Sequence, residues 1–222
     1  MLEFLKMAQK IFKGEVKGRI LEVRFALSGK TERILKKNGD YVKKGELLAS
    51  LEKKIFQTEL DRQLADYEKT RADFEIFNLQ KGGVEDDLTK YLKMGKQAQL
   101  NASVKEVELA KARLDQTDLF SPVEGVILDD GGMAPGMNVT PASYAFKILE
   151  AASLWFEVEI EQEDIPLFSQ PKSGEVEIFG VGKQQVSSGP VFADGRRFFL
   201  RVELPSREGL LLGMRGEGRW GE

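Results

Sequence analysis

The chain has 222 residues, 41% of them hydrophobic and 31% charged, the balance of a folded polypeptide with room for one large domain or two to three small modules. Its 33 basic and 36 acidic residues leave a net charge of −3 with no basic stripe, which argues against a nucleic-acid partner. Cysteine and histidine are both absent, which removes disulfides, thiol chemistry, the usual zinc sites and histidine acid–base catalysis, and no run approaches the ~20 apolar residues of a membrane span.

In chain order, Leu2 to Phe12 is apolar at Leu2, Phe4, Leu5, Met7, Ala8, Ile11 and Phe12 but interrupted by charge. It is too short for a secretory signal, and a short amphipathic helix is expected over residues 1–15. Residues 16–51 read as short strands around Val16, Ile20, Val23, Phe25, Ile34-Leu35, Tyr41-Val42 and Leu47-Leu48, separated by the turn signals Ser28-Gly29, Asn38-Gly39-Asp40 and Lys44-Gly45-Glu46.

From Glu52 to Gln80 there is neither Gly nor Pro. Phe56, Leu60, Leu64, Tyr67, Arg71 and Phe74 follow at steps of three or four, which predicts a helix with one apolar stripe broken by Arg71. Lys81-Gly82-Gly83 interrupts it, and Asp86-Asp87 open a second helix, where negative charge suits the dipole. The stripe expected on that helix is Leu88, Tyr91 or Leu92, Gly95, Ala98, Ala102, Val107, Ala110 and Leu114, its small residues allowing close approach. Residues 52–118 thus read as an antiparallel coiled-coil hairpin whose two helices, about 28 and 33 residues long, project roughly 40–50 Å.

Ser121-Pro122 ends the helical region. Strand character returns at Val126-Ile127-Leu128, the turn Asp129-Asp130-Gly131-Gly132 follows, and Val139 and Phe146 to Leu149 complete residues 119–150. Beyond Ala151 the pattern alternates at Leu154, Phe156, Val158 and Ile160, with later runs at Val176 to Phe179, Phe198 to Leu204 and Leu210 to Leu212 between Gly-rich breaks. Residues 151–222 are therefore expected to form a small antiparallel barrel or sandwich. Glu157, Glu159, Glu161 and Glu163 fall on one strand face, which reads as its wet side.

A repeat is interrupted by the hairpin. Gly39-Asp40-Tyr41-Val42-Lys43-Lys44-Gly45 leads to Leu48 and Leu51, and Gly136-Met137-Asn138-Val139-Thr140-Pro141-Ala142 leads to Ala145 and Ile148. Each copy follows an earlier glycine, Gly29 and Gly125. Gly29, Gly39, Gly45, Gly125 and Gly136 are the candidate turn glycines, because glycine accepts positive φ without a steric cost. Two copies imply two similar half-sheets, with the hairpin inserted between them and its two roots held close together.

Gly29 to Leu51 resembles the first half of a biotinyl/lipoyl domain. Leu119-Phe120-Ser121-Pro122-Val123-Glu124-Gly125-Val126-Ile127 resembles the second half as found in membrane fusion proteins, the HlyD-like adaptors of RND, ABC and related exporters. Ala152 to Leu167 resembles the start of that family's barrel, and Gly213-Met214-Arg215-Gly216 its closing element. The resemblance implies a mixed α and β fold: a split lipoyl-like β-sandwich with an inserted α-helical hairpin, then a small β-barrel. It implies a non-enzymatic periplasmic adaptor in the cell envelope, associated with the inner membrane, without cofactor or metal. Its partners would be an inner-membrane transporter of RND or ABC type, an outer-membrane channel, and further copies of itself in a ring. Arg71 matches the Arg of the family's tip pattern, while Glu75 and Gly82 occupy the places of its Leu and Ser. Arg71, Lys81, Gly82, Gly83 and Val84 are the candidate partner contacts. The membrane-proximal domain of longer members is expected to be missing or reduced to residues 1–25 and the C-terminal end.

Two other readings are open. One is a lipoyl- or biotin-type carrier of an enzyme complex, with Lys53, Lys54 or Lys93 as acceptor; Lys93-Met94 resembles part of the biotin-acceptor motif, but both it and the junction lysines fall in predicted helix. The other is a coiled-coil scaffold. Gly216-Glu217-Gly218-Arg219-Trp220-Gly221 fits G-x-G-x-x-G as a string, but no helix follows to receive a phosphate.

Overall fold

The computed structural model describes residues 10–81, 83 and 86–221. The chain divides into two compact units. The first holds a closed barrel of six strands in the order β1 (Lys10–Lys17), β10 (Trp155–Ile160), β13 (Arg197–Glu203), β12 (Gly182–Asp194), β11 (Ser173–Ile178) and β14 (Arg215–Trp220), with β14 returning to β1. The alternation that predicted β10 has its physical counterpart: Phe156, Val158 and Ile160 are buried, and Glu157 and Glu159 point away from them. Glu161 and Glu163 leave that row, lying in the 3-10 turn Gln162–Phe168 and at its edge.

The barrel fills its interior by placing large rings beside glycines. Trp220 is 1% exposed and sits edge-on to Phe12 and Phe168, with ring centroids 5.9 and 5.5 Å away. A Cβ on Gly174 or Gly218 would come within 2.3 Å of the Trp220 side chain, and one on Gly14 within 2.8 Å of the Phe156 ring. Closure depends on β1, whose Gly14 pairs with both β10 and β14, while Val16 pairs with Phe156 of β10 and its carbonyl accepts the Gly213 N–H.

Three expectations change here. Residues 1–9, with most of the expected N-terminal helix, lie outside the described residues, and Lys10–Phe12 are strand, because the barrel needs Phe12 and Val16, four residues apart and so on the same face of a strand, on its inner side. Leu210 to Leu212 form a turn rather than a strand. The Gly-rich string from Gly216 to Trp220 belongs to β14, not to a break.

The second unit holds the hairpin, α1 (Lys54–Lys81) and α2 (Asp87–Asp115). Eight short strands flank it in sequence. Before it come β2 (Ile20–Val23), β3 (Gly29–Ile34), β4 (Tyr41–Val42) and β5 (Leu47–Leu51); after it come β6 (Asp118–Phe120), β7 (Gly125–Asp129), β8 (Asn138–Val139) and β9 (Phe146–Glu150). They form two four-stranded sheets, ordered β2-β9-β7-β4 and β6-β5-β3-β8. Replacing β2, β3, β4 and β5 by β6, β7, β8 and β9, and the reverse, turns one order into the other. Val42 and Val139 are buried at corresponding positions, in the last strand of each order.

The glycines fall into two classes. Gly39 and Gly136 share φ of +88° and Gly45 has +79°, the left-handed turn geometry expected of them. Gly29 and Gly125 are not turn residues. Each opens a strand, β3 and β7, at a close approach: a Cβ on Gly29 would lie 3.1 Å from Leu51 Cδ1, and one on Gly125 only 1.9 Å from the Leu149 carbonyl oxygen. Sheet crowding, not backbone handedness, selects glycine at these two positions.

Candidate functional site: the helical hairpin

Both roots of the hairpin are clipped to the same short strands. Leu51 N–H donates to the Thr117 carbonyl at 2.8 Å, and Lys53 Nζ pairs with Asp118 Oδ2 at 2.6 Å. β5 pairs with β6 in the register Leu47 with Phe120 and Ser50 with Asp118. Entry and exit are therefore neighbours, as an insertion requires. Lys53 is engaged in this ion pair, Lys54 opens α1 and Lys93 lies within α2, so none of the three stands on an exposed β-turn.

At the far end, Asp86 caps α2 by accepting the Thr89 N–H at 3.0 Å. That contact, through the Thr89 side chain first and its backbone second, holds the Asp86 carboxyl below its ordinary range. Lys81 ends α1 and is exposed, and Gly83 N–H donates back to the Lys81 carbonyl at 2.8 Å. Of the five candidate tip contacts, Gly82 and Val84 lie outside the described residues. Arg71 is set back from the end of α1 by about 15 Å at 1.5 Å per residue. It is exposed and paired with Glu75 at 2.9 Å, so it belongs to the flank of the rod.

Along α1 the less exposed residues are Phe56, Glu59, Leu60, Gln63, Tyr67, Thr70, Phe74, Phe77 and Asn78. Along α2 they are Thr89, Lys96, Leu100, Ser103, Val104, Val107, Ala110 and Leu114. From Phe56 to Phe77 on α1 (Phe56, Leu60, Gln63, Tyr67, Thr70, Phe74, Phe77) and from Lys96 to Leu114 on α2 (Lys96, Leu100, Ser103, Val107, Ala110, Leu114) these include a row at alternating steps of three and four, which is the seven-residue repeat of a coiled coil. Half of the expected stripe stands on this seam and half does not. Leu64 and Arg71 are exposed, their places taken by Gln63 and Thr70. Gly95, Ala98 and Ala102 are exposed too, so small residues do not set the approach of the two helices. The large apolar residues Ile76, Leu79, Leu88, Tyr91, Leu92 and Met94 are between 48% and 87% exposed, and all lie in the distal part of the hairpin. Sequence reasoning named Leu88, Tyr91 and Leu92 as seam residues; their value as surface residues was hidden because both faces of α2 carry apolar side chains.

The barrel has a separate groove of about 570 Å³ on its outer wall, where Phe192 and Phe199 stack at 5.7 Å between Lys13, Glu159 and Arg197. Among the described residues no cluster of acidic side chains is arranged to hold a metal ion, and no helix is long and apolar enough to cross a membrane.

No family model and no curated protein matches this chain. Solved structures do. A MacA–MexA chimeric protein carrying the Pseudomonas aeruginosa MexA α-hairpin domain superposes with a TM-score of 0.81 at 18% identity, over 96% of this chain and 81% of that one. A membrane fusion protein from Streptococcus pneumoniae superposes with a TM-score of 0.78 at 13% identity, over 96% of this chain and 99% of the other. The periplasmic adaptor protein EmrA matches with a TM-score of 0.56 at 15% identity, over 98% and 99%. The fold, hairpin and six-stranded barrel together, is that of membrane fusion and periplasmic adaptor proteins.

Proposed function

We propose that this chain is a periplasmic adaptor that links an inner-membrane transporter to an outer-membrane channel for efflux or secretion, acting by assembly and not by chemistry. The observation that carries the reading is the insertion itself: a coiled-coil hairpin clipped at both roots between two sets of strands whose sheet orders interchange. On this reading residues 16–51, apart from Val16 and Lys17 at the end of barrel strand β1, and residues 119–150 are the halves of one lipoyl-like domain, and residues 52–118 are its projecting insertion. The barrel, of which residues 151–222 form the larger part, is the transporter-docking module. Two half-domains joined this way fix the direction of a long rod far better than a flexible tether would. Among the described residues of the two helices only Ala110 is buried, which leaves their surface available to partners.

Lys81, Gly82, Gly83 and Val84 are the proposed contacts of the distal end, with Arg71 a proposed contact on the flank about 15 Å behind them. Glu75 in place of the family's Leu pairs with Arg71 and narrows the set of channels it would grip. The test is recovery of the tagged full chain from native envelopes by detergent extraction. A polytopic transporter subunit should co-purify, and Arg71→Ala with Lys81→Ala should lower recovery of any channel while leaving the transporter bound. Absence of every integral membrane protein from the eluate rejects the reading.

A further inference from the structure

Trp155 and Arg201 stand on the outer wall of the barrel. Trp155 pairs across β10 and β13 with Glu203, and Glu157 pairs with Arg201, so the indole and the guanidinium are diagonal neighbours on one face. The guanidinium lies over the indole ring, 4.1 Å from its centroid. That contact restrains a long side chain without consuming any of its five N–H donors. Among the described residues those donors have no acceptor. Glu157, directly opposite Arg201, accepts the Trp155 indole N–H at 3.3 Å instead and makes no ion pair with the guanidinium.

Trp155 and Arg201 line a pocket of about 480 Å³ together with Arg19, Glu150, Ala152 and Ser153. All six residues belong to the compact unit that holds the barrel. Glu150, the acid of this lining, is already engaged: Arg19 Nε donates to its Oε2 at 2.7 Å, and Arg19 Nη2 lies 2.5 Å from the same oxygen. Ser153 Oγ accepts the Arg19 backbone N–H at 2.8 Å and donates to the Glu150 carbonyl at 2.7 Å. This clasp holds Arg19 in place and leaves its Nη1 unengaged among the described residues. The lining therefore carries one guanidinium more than its carboxylate neutralises, beside the apolar surface of Trp155 and Ala152.

A surplus guanidinium with no free acid beside it selects an anion, and its planar fork matches the two oxygens of a carboxylate or phosphate. The volume is that of a small-molecule site rather than of a bare ion. The larger groove at Phe192 and Phe199 makes no such selection, because Lys13 and Arg215 share it with Glu159 and Asp194.

We propose that this pocket binds a small amphipathic anion, its carboxylate or phosphate held by Arg201 and Arg19 and its apolar body laid against Trp155 and Ala152. The site does not depend on the adaptor reading, and the two stand or fall separately.

The test uses the full chain labelled with ¹⁵N and reads the indole N–H signals of its two tryptophans. Trp155 lines the pocket while Trp220 is buried in the barrel, so one signal reports the site and the other the fold. Octyl phosphate and octanoate, each below its micelle concentration, should shift the Trp155 signal saturably and leave that of Trp220 in place. Octyl glucoside keeps the tail without the charge, and inorganic phosphate keeps the charge without the tail. Each should bind about tenfold more weakly than octyl phosphate. Arg201→Gln should weaken octyl phosphate about tenfold and Arg19→Gln about threefold, with the Trp220 signal and the thermal midpoint unchanged. Arg201→Lys, which keeps the stem and the charge but loses the fork, should weaken it severalfold and makes the comparison if Arg201→Gln disturbs Trp220. Phosphatidylglycerol vesicles separate two sources of the anion. Co-sedimentation that Arg201→Gln abolishes places the anion on a lipid surface, its absence beside tight binding of octyl phosphate places it in solution, and either supports the site. No saturable Trp155 shift with either anion, octyl glucoside or inorganic phosphate binding as tightly as octyl phosphate, or unaltered affinity in the Arg201 variants overturns the proposal.

Discussion

The barrel and the hairpin are built on opposite plans. The barrel closes on itself: its core runs from Phe12 through Phe156, Val158, Leu200 and Val202 to Trp220, and its six strands leave no open edge. The hairpin has no core beyond a two-helix seam that includes Gln63, Thr70, Lys96 and Ser103. One region is finished by its own sequence. The other leaves most of its helical surface exposed, and a long rod with a thin seam presents that surface with little buried core.

The sharpest way to test this contrast is to remove one aromatic from each region. Trp220→Ala empties a site in contact with two other rings and should cost about 3–5 kcal/mol of barrel stability, read as the shift of the denaturant midpoint. Phe74→Ala acts on a half-buried seam position and should cost roughly 1–2 kcal/mol, seen mainly as lost helix ellipticity. Equal losses would mean that the hairpin and barrel unfold together and that the contrast is false.

The interrupted repeat can be probed at matched positions. Gly125→Ala drives a Cβ into a backbone carbonyl, which cannot move cheaply, whereas Gly29→Ala meets the end of the Leu51 side chain. The first should therefore destabilise clearly more than the second. Gly39→Ala and Gly136→Ala share the same φ and open surroundings, so each should cost about 1–2 kcal/mol and the two should agree within error. Thermal melts of the four variants read this directly. Unequal costs at Gly39 and Gly136 would break the equivalence of the two halves.

These positions also show what the sequence makes legible. The hairpin is visible because nothing between Glu52 and Gln80 can stop a helix, and the repeat because Gly39 and Gly136 solve the same backbone problem. The seam is only half visible. A stripe drawn through Leu64 and Arg71 fits the apolar periodicity as well as one through Gln63 and Thr70, and only the partner helix decides between them. β12 and β14 are hidden for another reason. Their inward positions include Ser188, Gly216 and Gly218, residues chosen to make room and to satisfy the Lys172 N–H, so they carry no hydrophobic alternation.

Filling the seam should strengthen the hairpin alone. Gln63→Leu and Ser103→Leu convert half-buried polar positions of the repeat to apolar ones, and each should add about 0.5–1 kcal/mol to hairpin stability. The barrel transition, followed by tryptophan fluorescence, should not move. A parallel rise in both transitions would show that the two regions are coupled.

The smallest expected effect is electrostatic. Glu59 accepts from Arg62 at 2.9 Å and from Gln63 at 2.9 Å, and these two contacts, Arg62 first, hold its carboxyl down at about 2. A carboxyl depressed in the folded state stabilises it above the ordinary carboxylate range near 4.5, and that contribution fades as the pH falls through about 2. Because the pair is solvent-exposed, salt screens it and the gain is small. Titration of the Glu59 carboxyl carbon by NMR should show a midpoint well below the ordinary 4.5, and Arg62→Gln should raise it toward that value. A midpoint near 4.5 in the unaltered chain would mean that the contact does not persist in solution, and the root half of α1 would then owe its order to the clipped strands rather than to its own side chains.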